Sequence, residues 1–533
     1  MVQGISQNYI INMALEDTPL KQPEVKKKSL REKIAHIREN ITLEPVLITY
    51  VIPGSLSRLA TQNLNLDKAC RVNLNYGDTI CDALIAREGS YQDEELELQT
   101  LVSSMEVWKN ILLTAIPSFL ILFLGAWSDR TGKRKICVLM PIVGDLLMCL
   151  SNLLNTYYFY ELPVQVTMFF EAFFPAITGG WIATYMGAFC YISEISSEES
   201  RTFRVGVANL CLTAGSPIGH ALSGILLKHF GYYGVFSFSS VLYIFSLCHG
   251  FFYMKDPERP KVEKKNENAG TISFLKSFFD LNHVKDTLTV VFKKGPNRRR
   301  TKSILILASI AVVYGPQYGE FTVRYLFTRF RFNWDAIRYS FYNTFYICLH
   351  MFGAFVSVSL FSRRWKWSDA TLGIISTVSK IIGGLATSQA RNSMEMYLAV
   401  AVETFNATSF TALRSLSSKL ANSDELGKMT SIFNLSEVVT SMIFGPTYSM
   451  IYMMTLKIDA GIVYYFSTVL TIPAISIFVW FYIQNKKELS RLKRNCDVNQ
   501  DEKTETRLEM IKIARKESLI GSIDLADGKV ILE

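Results

Sequence analysis

Charge is missing from three stretches of this 533-residue chain: positions 110–126, 235–254 and 461–484 contain no Lys, Arg, Asp or Glu. Ordinary soluble domains are about a quarter charged, whereas an uncharged apolar run of about 18 or more residues can cross a hydrocarbon core about 30 Å thick as a helix. A soluble globular enzyme is therefore excluded. Other absences narrow the class further. The first 40 residues hold no apolar run behind their basic residues, so no cleavable signal peptide is expected. No Asn-x-Ser/Thr sequon falls between 61 and 103; those at Asn40, Asn406 and Asn434 lie at a span edge or inside spans, so N-glycosylation is not expected. Neither terminal segment carries an acidic di-leucine signal of standard spacing, which favours the plasma membrane over the endolysosome. No span holds a paired His/Asp or Ser/His set, so an enzyme is not expected, and neither is a metal or cofactor.

What is present is segregated. The chain is 49% hydrophobic and 13% aromatic with a net charge of +9. Its apolar residues gather into twelve candidate spans at 43–60, 104–126, 136–156, 164–192, 203–227, 232–254, 303–323, 337–361, 369–388, 394–417, 429–454 and 460–484. With both termini cytoplasmic, roughly three quarters of the 56 Lys and Arg residues fall on the cytoplasmic side, the asymmetry expected of an even span count. The basic run Lys293 to Arg300 then reads as topology and contact with anionic lipid rather than with nucleic acid. The organisation is a tail at 1–40, a six-span half at 41–254 with an external polar loop at 61–103, a cytoplasmic linker at 255–302, a second half at 303–484 and a tail at 485–533. In the linker, Ile272, Leu275, Phe278, Phe279, Leu288, Val291 and Phe292 alternate with Lys and Asp as in an amphipathic helix at the membrane face.

Of nine cysteines only Cys70 and Cys81 lie in the external loop. A disulfide between them suits an oxidising compartment, the alternative being two free thiols. The two halves match in outline. The loop after span 4 reads Ser196-Ser197-Glu198-Glu199-Ser200-Arg201, and that after span 10 reads Asn422-Ser423-Asp424-Glu425-Leu426-Gly427-Lys428. Duplication of a six-helix unit puts a substrate path between the halves.

Between spans 2 and 3 stands Gly125-Ala126-Trp127-Ser128-Asp129-Arg130-Thr131-Gly132-Lys133-Arg134-Lys135. It resembles the major facilitator superfamily signature at every defining position, and Ser362 to Asp369 in the second half is a decayed copy. Glycines permit a tight turn and close helix approach, so Asp129 can meet the positive end of a neighbouring helix while the Arg and Lys residues bind acids. The resemblance implies that this neighbour is the start of span 11, near Met429, and that Gly125, Asp129, Arg130, Gly132, Lys133 and Arg134 form a cytoplasmic gate. Glu44-Pro45-Val46, Ser200 to Arg204, Arg414 and Ser418-Lys419-Leu420 further resemble the proton-coupled folate transporter family, solute carrier family 46, as a divergent, insect-like member. That resemblance covers about 41–484. It implies that Gly215-Ser216-Pro217-Ile218-Gly219 packs span 5 against span 8, and that spans 1, 4, 7 and 10 line the substrate path. The chain departs from the folate-carrying branch where Asn209 replaces a glutamate, where Val313 or Tyr314 replaces a histidine, and where Asn333 replaces an external cysteine.

Ionisable groups inside spans are costly and by default functional. Glu171, Glu403 and Arg414 are the leading candidates, Arg414 as an anion clamp or as one member of a structural ion pair with a loop acid. Asp145 and Lys380 suit pairing within their own halves, and Glu437 lies in span 11. Glu320 and Arg324 suit an external gate or a solvated helix end. Of the histidines in spans, His220, His249 and His350, the last is the best candidate to sense acid pH. Tyr314, Tyr318, Phe321 and Tyr325 stack on a ring-bearing substrate or pack. The expectation is an all-α membrane protein of twelve transmembrane helices in two pseudo-symmetric six-helix bundles. It transports a small organic anion, folate-like, muropeptide-like or nucleotide-like, by alternating access, as a monomer, with protons as the candidate coupling ion. The alternative is a non-transporting receptor or scaffold that retains the fold.

Overall fold

A computed structural model describes residues 42–488 and 490, apart from 89–90, 197, 257–297, 366 and 421–425. The linker helix, Cys496 and most of both tails lie outside the described residues. The chain order is α1 Glu44–Lys68, α2 Asp78–Ala86, α3 Gln92–Thr131, α4 Arg134–Tyr157, α5 Val164–Thr178, α6 Gly180–Ile195, α7 Glu198–Tyr253, α8 Arg299–Phe332, α9 Ala336–Val356, α10 Asp369–Gln389, α11 Ser393–Val402, α12 Ala407–Leu420, α13 Leu426–Thr455 and α14 Ile462–Glu488. Two spans share α7 and meet at Gly231, whose φ of 62° ends one and starts the other. Helix occupies every predicted span, and seven of these helical stretches are long and apolar enough to cross a membrane. No strand occurs among the described residues.

Local chemistry sets the helix ends. Pro45 opens α1, and the Glu44 carboxylate accepts the free N–H groups of Thr42 at 3.0 Å and Leu43 at 3.1 Å. Asp335, Ser368 and Asn392 cap α9, α10 and α11 by accepting from the N–H groups of Arg338, Thr371 and Glu395. Gly132, at φ 71°, ends α3 in the left-handed conformation that glycine allows, its N–H bonded to the Ser128 carbonyl.

Two expectations need correction. The segment 61–103 is largely helical rather than an irregular loop: α1 runs on to Lys68, passes through a π-helical turn at Ala69–Asn73, and is followed by α2 and the early start of α3. Its polar residues satisfy one another. Arg71 fans onto Asp67 at 2.7 Å, Asp78 at 2.5 Å and Asp82, and the Cys70–Cys81 disulfide ties the π turn to α2. Gly215 and Gly219 pack span 5 against span 1, not span 8: a Cβ at Gly219 would stand 2.5 Å from the Ile52 carbonyl oxygen. It is Gly224, one turn further on, that lets span 5 approach Ala336 and Ile337 at the start of α9.

The two halves meet where α3 packs on α13 and α7 on α9. Spans 4 and 10 are both interrupted. Span 4 breaks at Gly179–Gly180, both at positive φ. Span 10 breaks between Val402 and Ala407, where Ser376 Oγ donates to the Phe405 and Asn406 carbonyls at 2.7 Å and Ser379 Oγ to the Val402 carbonyl at 2.6 Å. Broken helices at corresponding places in two repeats point to a site at the interface of the repeats, and the borrowed serines satisfy the freed backbone.

Candidate functional site

A Glu–Lys–Glu cluster is built into each half. In the first, Lys109 on α3 donates to Glu106 on the same helix and, at 3.0 Å, to Glu171 on α5, whose other oxygen accepts from Asn65 Nδ2 at 2.9 Å. In the second, Lys380 on α10 donates to Glu320 on α8 at 2.5 Å and to Glu403 at the break of span 10 at 2.8 Å. Asn406 Nδ2 donates to the same Glu403 oxygen at 2.8 Å. The second cluster is the drier one: its three side chains are 2–5% exposed, whereas Glu106 and Glu171 are 13% exposed. Glu171 and Glu403 therefore occupy matching spans and matching roles, each an acid held by a lysine within its own half. Lys380 pairs within its half, and Asp145 lies within electrostatic reach of Tyr50 in the other.

Above these clusters two guanidinium groups point from opposite halves into their interface. Arg58 on α1 lies 4.0 Å from the ring centre of Phe321 on α8, and Arg324 on α8 lies 3.8 Å from that of Tyr346 on α9. Among the described residues neither forms an ion pair. His220 and Tyr339 lie within electrostatic reach of both. Arg324 is buried, and Arg58 is exposed although it sits well inside α1. Glu320 and Arg324 are accordingly not a solvated helix end. His350 stacks on Tyr346, 4.0 Å between ring centres, with its Nε2 buried and unpartnered. Tyr314 stacks between Tyr318 and Phe410, and its hydroxyl accepts from Ser441 at 3.5 Å.

Two candidates stand apart. Asn209 is exposed on α7 and joins neither cluster. Arg414 on α12 pairs at 2.8 Å with Glu437, a residue of the neighbouring helix α13 rather than of a loop, and its side chain keeps 52% exposure. Arg58, Glu106 and Lys109 are missed by sequence reasoning. The signal was present: the acid and the lysine are three apart inside span 2, and Arg58 interrupts span 1.

Every described hydrogen bond, ion pair and cation–ring contact between the halves lies between mid-depth and the end bearing the disulfide. Arg329 Nε reaches Glu95 at 2.8 Å, Arg87 reaches the same carboxylate at 3.1 Å, and Arg87 also donates to the Arg329 carbonyl at 2.6 Å. Tyr325 donates to Asn63 at 2.7 Å, and Tyr452 to Gln99 at 2.8 Å. Burial alone would push the Glu95 carboxyl up, and Arg329 and Arg87 overcome it, so its pKa lies below the ordinary glutamate value. A depressed carboxylate contributes stability that is complete above its unfolded pKa and is lost only as pH falls through the folded one. This clasp is therefore intact at pH 5.5. Glu95→Gln is expected to lower the thermal midpoint equally at pH 7.5 and 5.5, and a difference that vanishes at pH 5.5 would contradict the assignment.

At the opposite end the signature loop meets α6. Arg134 reaches Glu194 at 2.9 Å and Ser128 Oγ at 3.0 Å, and Arg204 lies 4.0 Å from Glu44. Lys133 is exposed. The side chains of Asp129 and Arg130, and Gly125 with them, lie outside the described residues. The second half repeats the arrangement with the charges exchanged: Asp369, at the start of α10, accepts from Lys419 at the end of α12 at 2.5 Å. A cavity of about 470 Å³ beside this pair, lined in part by Lys302, Trp367, Phe481 and Glu488, belongs to that half alone.

The profile described as Major Facilitator Superfamily matches residues 108–446. The probable peptidoglycan muropeptide transporter of Drosophila melanogaster is 23% identical over 439 residues, which cover 80% of this chain and 83% of that one. The lysosomal proton-coupled steroid conjugate and bile acid symporter of Gallus gallus is 23% identical over 456 residues, 83% and 94% of the two chains. The proton-coupled folate transporter of Rattus norvegicus is 22% identical over 403 residues, 75% and 83%. Among solved structures, an auto-inhibited peptide transporter of the POT family superposes with a TM-score of 0.53 at 13% identity, covering 84% of this chain and 97% of that one. The signature loop, the helical fold and these likenesses agree, and the chain belongs to the major facilitator superfamily, a multi-pass membrane protein whose relatives are members of solute carrier family 46.

Proposed function

We propose that this protein is a secondary active transporter that carries a ring-bearing organic anion between its halves by alternating access. One observation carries the reading: Arg58 and Arg324, from opposite halves, face the interface with aromatic rings beneath them and no described ion-pair partner. A buried cation without an ion pair, as Arg324 is, is costly unless a ligand supplies the counter-charge. A guanidinium over an aromatic ring can hold a carboxylate, sulfate or phosphate bidentately while the ring packs against the body of the ligand. The relatives named for muropeptides, for steroid conjugates and bile acids, and for folate carry substrates of this kind.

The state described here is closed at the disulfide-bearing end, where Glu95, Arg87 and Arg329 clasp the halves. We further propose that this end is extracytoplasmic, that both tails and the signature loop face the cytoplasm, and that the protein resides in the plasma membrane rather than the endolysosome. The exposure of Arg58 then corresponds to a substrate path open toward the cytoplasm. Opening outward requires breaking the clasp and closing the signature-loop end, where Asp129 would latch onto the start of α13. The reading is tested by uptake of labelled taurocholate, folic acid and muramyl dipeptide into liposomes containing the purified protein at pH 5.5 and 7.5. Saturable uptake of at least one is expected. The rival reading, a receptor that retains the fold, requires that none be taken up at either pH.

A further inference from the structure

At the signature-loop end of the second half, the ends of α8, α10, α12 and α14 enclose the cavity of about 470 Å³ beside the Asp369–Lys419 pair. Small-molecule sites commonly measure about 300–1,000 Å³. This one lies within a single half, away from the path between the halves. Its charges form two ion pairs, each joining two helices. Lys302 on α8 reaches Glu488 on α14 at 3.1 Å, and Lys419 on α12 reaches Asp369 on α10 at 2.5 Å. Phe481 and Leu416, both buried, add an apolar wall.

Trp367 lines the same cavity and marks its level in the bilayer. Its ring centre lies 4.9 Å from that of Phe361 and 5.1 Å from that of Trp365, and both tryptophans are exposed. Tryptophans at the ends of spans settle at the height of the lipid headgroups. Beside the cavity, α14 leaves Val479, Tyr482 and Ile483 exposed, an apolar flank against which acyl chains can lie. A lipid on that flank brings its headgroup to the mouth of the cavity.

The charges select among headgroups. Two lysines and two acids make the lining neutral, and each of these charges has a partner. A purely anionic headgroup would take the lysines and strand Asp369 and Glu488, which is costly for a partly buried carboxylate. A headgroup that carries both signs can enter both pairs and leave no charge alone. We propose that this cavity is a binding site for phosphatidylethanolamine, with the phosphate between Lys302 and Lys419 and the ammonium between Asp369 and Glu488. The ammonium offers three N–H donors to the two carboxylates, which the trimethylated nitrogen of phosphatidylcholine lacks. Bound there, the lipid ties together the ends of four helices of one half and stiffens that half without touching the substrate path.

The test uses the purified full-length protein, stripped of lipid in detergent. It is titrated with short-chain phosphatidylethanolamine, phosphatidylcholine, phosphatidylglycerol and free phosphoethanolamine, while native mass spectrometry counts bound ligand and the thermal midpoint is read in parallel. Phosphatidylethanolamine is expected to bind as one tightly held copy and to raise the midpoint saturably. The other two lipids should need at least about tenfold more, the factor that one hydrogen bond to a charged group corresponds to. Phosphoethanolamine should have no effect at the concentration where the lipid saturates. Asp369→Asn combined with Glu488→Gln keeps the lysines and removes the acids, so this variant should invert the order and prefer phosphatidylglycerol. Equal response to all three lipids, or to none, overturns the proposal, and so does a wild-type preference for either other lipid. Free phosphoethanolamine as effective as the lipid would make the ligand a soluble one and overturn the lipid assignment. An unchanged preference in the double variant would remove the acids from the site. The wild-type comparison decides the matter even where the double variant does not fold, and none of these results bears on the anion reading.

Discussion

Lys380→Met is expected to be the most damaging single change in the protein. It leaves Glu320 and Glu403 facing each other in a site whose side chains are 2–5% exposed, and removing one partner of a buried ion pair typically costs about 3–5 kcal/mol because an uncompensated charge remains. That is a large share of the net stability of a folded domain, so the folded fraction in detergent extracts, read by size exclusion and thermal melting, should fall steeply. The diagnostic result is rescue. Lys380→Met combined with Glu320→Gln and Glu403→Gln removes every charge of the triad and is expected to recover most of the folded protein, since the coupling between contacting residues is strongly non-additive. A triple variant no better folded than the single one would show that Lys380 acts through packing. Lys109→Met is expected to cost less, because its acid partners keep some contact with solvent.

Arg324→Gln and Arg58→Gln are expected to behave in the opposite way, sparing the fold and abolishing function. Neither arginine has an ion-pair partner among the described residues, so removing its charge breaks no ion pair, and the acid within reach of each, Glu106 for Arg58 and Glu320 for Arg324, keeps its lysine. A hydrogen bond to a charged group contributes about 1.5–3 kcal/mol, which corresponds to a loss of about ten- to a hundredfold in affinity for an anion. At equal surface expression, uptake at sub-saturating substrate should fall by that factor in each variant. Arg58→Lys should restore little of it, because an ammonium can neither grip an anion bidentately nor lie flat over the Phe321 ring. Wild-type uptake in either glutamine variant would remove the arginine pair from the site.

The parts of this molecule visible in its sequence are those fixed by local pattern. Uncharged runs locate spans because the bilayer punishes charge wherever it falls. Cys70 and Cys81 were readable as a disulfide because they alone shared an external segment, and Gly132 as a turn because a left-handed helix end favours glycine. The ion clusters were less visible. Glu320, Lys380 and Glu403 stand 60 and 23 residues apart and meet only through the packing of α8, α10 and the span 10 break. That break contains neither Gly nor Pro; serines of another helix hold it open, so nothing local announces it, whereas the matching break in span 4 is written as Gly179–Gly180. Glu106 and Lys109 stand immediately before the charge-free run of span 2, where an acid and a base three apart read as an ordinary solvated helix end. The glycines of span 5 gave the close approach but not its partner, since small residues permit contact without choosing the neighbour.

The central claim is that an organic anion crosses the membrane held between Arg58 and Arg324. Counterflow tests it most directly: liposomes containing the protein are loaded with unlabelled taurocholate, folic acid or muramyl dipeptide and diluted into the same compound, labelled, at trace concentration. Transient accumulation of label above its equilibrium level is predicted for at least one of the three, and is predicted to vanish in the Arg58→Gln and Arg324→Gln proteins. Absence of accumulation for all three in the wild type, or accumulation undiminished in both variants, would contradict the account.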